Sequence, residues 1–117
     1  MDIAIYQIDP RKDVNNLLFM GLNYVEEKTG SRIINKDIYR LAWYGRVIDC
    51  NSLEDVYMRF NADAPPSGSM RSVSVSDVVQ VFDAHGGKCY FCDSIGFKEV
   101  QFVSLLEEAT AAARAAK

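Results

Sequence analysis

Two short runs of β-branched and aromatic residues, Val78–Phe82 and Cys89–Cys92, flank Asp83-Ala84-His85-Gly86-Gly87-Lys88. This pairing constrains the chain more than any other stretch, because strand-forming arms around Asp and Gly turn signals predict a β-hairpin. What precedes it poses a problem of register. Were Ser72 to Phe82 one continuous strand, Val73, Val75, Val79 and Val81 would share a face with Asp77, since side chains alternate with period two. An ionised carboxylate in that apolar row costs kilocalories unless it is paired. A turn at Ser74–Asp77, where Ser and Asp side chains bond local backbone, avoids the conflict and starts a fresh strand at Val78. Asp77 is then structural.

The other elements fall around this hairpin. Ile3–Ile8 is mostly apolar and β-forming, and it stops at Asp9-Pro10, where proline removes a ladder donor, so it reads as a central strand. Val14, Leu17, Leu18, Leu22 and Val25 recur near a helical period, with Gly30 as C-terminal cap. The helix either fills Val14–Gly30 or is confined to Leu22–Lys28, with Leu17–Gly21 extended. Tyr39, Leu41, Trp43 and Val47 alternate with Arg40, Ala42, Tyr44 and Arg46, which predicts a half-buried strand over Tyr39–Val47 with Gly45 marking a bend or bulge. Ser52 caps a helix over Leu53–Phe60 whose Leu53, Val56, Tyr57 and Phe60 stripe faces the core, and Asn61 ends it. Ala62–Arg71, with Pro65-Pro66, is a loop. Asp93–Gly96 signals another turn, and Ser104-Leu105-Leu106-Glu107 is a capping box opening an Ala-rich helix that fixes little apolar surface. The fold class is therefore α+β: an antiparallel or mixed sheet of about four strands covered by two helices. Residues 1–103 form one domain and 104–117 a C-terminal helical extension.

Composition narrows function chiefly by exclusion. A chain of 117 residues with thirteen basic and sixteen acidic side chains carries a net charge of −3, and its basic residues never cluster beyond a pair. That is not the footprint of a nucleic-acid binder. No apolar run approaches the ~20 residues of a membrane span. Met1–Tyr6 lacks a basic, then long apolar, leader, and three cysteines do not make a disulfide framework, so a cytoplasmic protein is expected.

The sharpest chemical pattern is His85, Cys89 and Cys92 with Cys50 elsewhere, four soft ligands in the number tetrahedral zinc takes. On a strand, however, Cys89 and Cys92 point to opposite faces, which favours buried structural thiols and no metal or other cofactor. The zinc reading stays as the alternative. Asp77, Asp93, Ser74, Ser76 and Ser94 lack a base beside a serine, so no catalytic residue is assigned and no enzymatic activity is expected.

Three blocks together, Leu53–Asn61, Ser72–Val79 and Tyr90–Phe97, resemble the YodL-like domain of Firmicute proteins, with the similarity covering about Ile3 to Phe102. Such domains recur in conjugative elements and phages, and the resemblance carries no catalytic residues across. It implies a non-catalytic protein-binding module of a mobile element, either an inhibitor of a bacterial defence nuclease of the anti-CRISPR or anti-restriction type or a modulator of another host cytoplasmic protein. The partner is expected to be a host or defence-system protein, neither nucleic acid nor membrane. Candidate contact residues are the loop and hairpin-tip positions Asp63, Arg71, Asp83, His85 and Lys88, the acids Asp49, Glu107 and Glu108, and the aromatics Trp43 and Tyr44. Loops on a rigid sheet and acids that mimic phosphate suit such a role.

Overall fold

The computed structural model describes residues 1–62 and 70–116. Its centre is a five-stranded antiparallel sheet in the order β3-β1-β4-β5-β6, one strand more than the four foreseen. The strands are β1 (Asp2–Ile8), β3 (Tyr39–Arg46), β4 (Val78–Asp83), β5 (Gly86–Cys92) and β6 (Phe97–Val100). The hairpin forms as expected but tighter, since Asp83 pairs with Gly86 and only Ala84-His85 turns the chain. The β6 edge strand was read from sequence only as the residues after a turn. A two-residue parallel bridge joins β2 (Ile34–Asn35) to β7 (Phe102–Val103).

Both faces of the sheet bury apolar side chains. On one, Ile3, Ile5 and Val79 pack with Val56 and Phe60 of α2 (Leu53–Ala62). On the other, Ile8, Val78 and Phe91 pack with Leu22 and Val25 of α1 (Leu22–Thr29). A central strand with both faces covered reads as an apolar run, which is why Ile3–Ile8 was legible.

Three details refine the sequence reading, the second by deciding between its two alternatives. The bulge in β3 falls at Ala42, not Gly45: Ile5 pairs with Trp43 while the next residue, Tyr6, pairs with Leu41. The extra residue reverses the alternation, so Tyr39 and Trp43 face opposite cores and Leu41 is exposed. Gly45 has a different use, because a Cβ there would come 3.0 Å from the Trp43 ring. Secondly, α1 is the short alternative; Asn16 and Phe19 have φ of 55° and 66°, which no helix of L-residues accommodates. Thirdly, α2 runs through Asn61 to Ala62, and Tyr57 lies on its exposed side. The Asn61 amide donates to the carbonyls of Tyr57 and Val73, tying the helix end to the segment that returns toward β4. Of the predicted Ala62–Arg71 loop, residues 63–69 lie outside the described residues.

Asp77 resolves the register problem as foreseen in backbone terms and differently in burial. Its amide bonds the Ser74 carbonyl at 3.1 Å, Ser76 adopts a φ of 85°, and β4 begins at Val78. Yet its carboxylate is fully buried. Oδ2 accepts from Gln7 Nε2 at 3.0 Å and from the Ser74 amide at 3.0 Å, while Oδ1 has no partner among the described residues. Burial outweighs the bonds from Gln7 and Ser74 and pushes the Asp77 carboxyl up to about 6.

The sign of the linkage follows. A carboxyl whose folded pKa lies above the 3.8 of its ordinary state binds its proton more tightly when folded, so Asp77 favours the fold most at low pH. That contribution is lost as pH rises from about 4 through 6, a swing on the order of 3 kcal/mol. Asp77→Asn keeps an oxygen for Gln7 and Ser74 without the charge. Denaturant unfolding across pH 4–8 is expected to show the variant at least as stable as the parent at pH 7, with the difference shrinking toward pH 4. A variant less stable at pH 7 by more than about 1 kcal/mol would mean the buried charge is held favourably.

Candidate binding surface

The chemistry-bearing residues singled out from sequence are mostly spent inside the fold. Cys89 packs toward the α1 side of the sheet, while Cys92, three residues on, is buried on the other. Cys50 sits in the α2-side core, and His85 is exposed at the hairpin tip. Among the described residues no group of three or more His, Cys, Asp or Glu is placed to hold a metal. Burial raises all three thiols, Cys92 to about 12, the opposite of what a reactive or metal-binding cysteine needs.

Serine and aspartate side chains act as caps reaching across the fold. Asp93 Oδ1 accepts from the Leu22 amide at 3.2 Å, serving the N-terminus of α1 from 71 residues away. Gly21 is required beneath it, since a Cβ there would lie 2.8 Å from the same oxygen. Ser76 Oγ accepts from the Phe19 amide, which helps hold that residue's unusual backbone. At α3 (Leu105–Ala115), Ser104 accepts from Glu107 as the capping box predicts, and Asp37 accepts both the Ser104 hydroxyl and the Leu106 amide. Those two bonds hold the Asp37 carboxyl below the usual carboxylate range.

The proposed contact residues do not converge. Arg71 is a structural side chain: its Nη2 donates to the Ile8 carbonyl at 2.9 Å and the guanidinium lies over the Phe19 ring. Asp49 pairs with Arg59, Lys88 with Glu99, and Asp83 accepts from the His85 amide in the turn. Glu107 and Glu108 lie on α3, whose cap sits by Asp37 just before β3, whereas Asp83 marks the other end of the sheet, near Asp2 and Arg46. Asp63 lies outside the described residues.

Trp43 and Tyr44 separate sharply. Trp43 turns inward, its ring 5.0 Å from Phe60 in an edge contact. Tyr44 is 74% exposed. It opposes Ala4, which opposes Gln80, which opposes Cys89, so these share one row on the α1 side of the sheet. The bulge at Ala42 brings Leu41 to that face too, and Phe82 stands one row toward the hairpin tip. Leu41 and Phe82 are both more than two-fifths exposed. Because α1 has only eight residues and lies over Ile8, Val78 and Phe91, the tip-side half of this face has no helix on it among the described residues. Beyond Gln80 and Cys89 the same face dips into an open groove of about 980 Å³ bordered by Arg32, Lys98 and Glu99. The outer edge of β3 has no strand paired to it among the described residues. Neither the bulge position nor the exposure of Leu41 was legible from alternation alone, although the adjacent aromatics Trp43-Tyr44 signalled that one ring must face out.

A family model described as a YodL-like domain matches residues 2–102. No curated protein and no solved structure matches the chain.

Cys50 and Cys92 are both 3% exposed, so a disulfide reagent at neutral pH is expected to label them only at the rate of global unfolding. Mass spectrometry of Cys89→Ser protein over time checks this. Labelling within minutes under native conditions would show that these thiols are accessible, contrary to their burial.

Proposed function

We propose that the chain, which belongs to the YodL-like domain family, is a non-catalytic protein-binding module of a mobile genetic element that inhibits a bacterial defence nuclease. The occurrence of such domains in phages and conjugative elements supports the setting. The observation that carries the binding role is the uncovered half-face of the sheet, where Tyr44 and Phe82 stand exposed, with Leu41 exposed one row nearer α1, along an edge strand that has no partner strand among the described residues. Tyrosine supplies rigid, amphipathic contact area and is enriched at interface hot spots. An edge strand offers backbone donors and acceptors to a partner strand, and β3 is eight residues long, twice the length of β6 at the opposite edge. The acids Asp83, Glu107 and Glu108 lie at separate places and are not assigned to one docking surface.

Expression of the protein in cells carrying a CRISPR or restriction system, followed by phage challenge, tests this reading. Plating is expected to rise with the parent protein and to return to the unprotected level with Tyr44→Asp, a variant that leaves the core untouched. For the purified nuclease, that substitution is expected to weaken association by about tenfold or more. Plating unchanged across a panel of nuclease-based defences would overturn the inhibitor role. Full activity of Tyr44→Asp would overturn the assignment of this face.

A further inference from the structure

A second concavity has a different character. It lies between α1, the β2 bridge and the first turn of α3, with a volume of about 460 Å³, inside the range of small-molecule sites. Leu17, Val25, Ile34, Ile38 and Tyr39 form its floor and Leu105 its lip. It exists because the chain before α1 is not helical and β2 pairs over only two residues, so α1 and α3 are not drawn together.

The polar atoms around it are almost all committed. The Tyr39 hydroxyl donates to the Ser76 carbonyl, Thr29 Oγ1 donates within its helix end, and Asn35 Oδ1 accepts from the Asp37 and Leu105 amides. The exceptions are the exposed Asn15 amide, which has no side-chain hydrogen bond among the described residues, and Lys28, the one charged group of the lining. Among the described residues no carboxylate lies within ion-pairing distance of its ammonium, whose nearest recorded partner is the Tyr24 ring at 5.4 Å. An apolar pocket with one uncommitted cation at its mouth complements a ligand with one apolar and one anionic end.

We propose that this pocket binds a small amphiphilic monocarboxylate, with its alkyl chain along Leu17, Val25 and Ile34 and its carboxylate at Lys28. Each methylene taken from water into such a site strengthens binding about fourfold, so affinity should climb with chain length until the pocket is full. The carboxylate at Lys28 sets orientation and discriminates against a neutral alcohol of the same length. Leu105 ties the occupant to α3, whose first turn hangs on Asn35 and Asp37 beside the pocket. This inference is independent of the sheet face assigned above.

The test is a titration of the full chain with decanoate and, separately, with decanol, both below micellar concentration, followed by amide chemical shifts. Saturable shifts at Leu17, Val25, Ile34 and Leu105 are expected, with decanoate tighter than decanol. Lys28→Gln is expected to weaken decanoate by about fivefold and leave decanol unchanged, the size of a partly exposed ion pair. Ile33→Trp, which fills the mouth from an exposed position, is expected to weaken both. Absence of saturable shifts, shifts centred elsewhere, or equal loss of decanoate and decanol in Lys28→Gln would each overturn the proposal. Equal affinities of the parent for the two ligands would do the same, marking a plain apolar socket suited to a partner's side chain.

Discussion

One buried contact, the Gln7 side-chain amide against the Asp77 carboxylate, connects the parts of this fold that are far apart in sequence. Gln7 sits on the central strand on the face that also carries Ile3 and Ile5, and it is fully buried. Its Nε2 donates to Asp77 Oδ2 and to the Arg71 carbonyl, and its Oε1 accepts from the Arg71 amide. The side chain thus serves residues 71 and 77 as a neighbouring strand's backbone would. A polar group there could not stand alone; unpaired, each buried donor or acceptor costs about 1–3 kcal/mol. Satisfied, it specifies where the segment before β4 lies against the sheet. A register slip of β4 by one residue would break it and bury Gln80 in place of Val79. Arg71, bonded to Ile8 and stacked near Phe19, extends the same network to the other side of β1.

Long-range capping is the second device. Asp93 serves α1 and Asp37 serves α3, each across more than sixty residues. Helices of eight and eleven residues are too short to be stable alone, so their first turns are fixed by carboxylates presented from the sheet and its connections. The consequence for function is spatial. With α1 fixed at one end of its face, the half that carries Tyr44 and Phe82 is left without a helix, and β3 with a free edge, among the described residues. α3 has no buried residue, and its first turn is anchored by the Asp37 and Asn35 side chains.

Much of this architecture was readable from residues. The hairpin, the central strand, the Ser52 and Ser104 caps and the turn before Val78 all announce themselves through local chemistry, in which neighbours supply the partners. What escaped had non-local causes. The bulge at Ala42 depends on how β3 meets β1 across the sheet, so alternation in Tyr39–Val47 pointed to one face where there are two. Gln7 lies inside an otherwise apolar run, and only its phase with Ile3 and Ile5 signals that it has a buried partner. Asp77 was recognised as structural through its turn, but its partner could not be seen from its own neighbourhood. Arg71 read as a loop cation and proved to be an internal strut. The candidate surface is half legible: the adjacent Trp43-Tyr44 pair stands out in the sequence, while the exposure of Leu41 and Phe82 follows only from the register.

The account rests on Gln7 and Asp77 acting as one unit, and a double-mutant cycle measures that directly. Gln7→Leu, Asp77→Leu and the double variant would be compared by denaturant unfolding at pH 7. Each single change strands a buried polar partner, whereas the double change removes both, so the double variant should be more stable than the sum of the singles implies by on the order of 2 kcal/mol. Additivity of the two substitutions within about 0.5 kcal/mol would contradict the account, because two groups that do not sense one another cannot hold the register of the sheet.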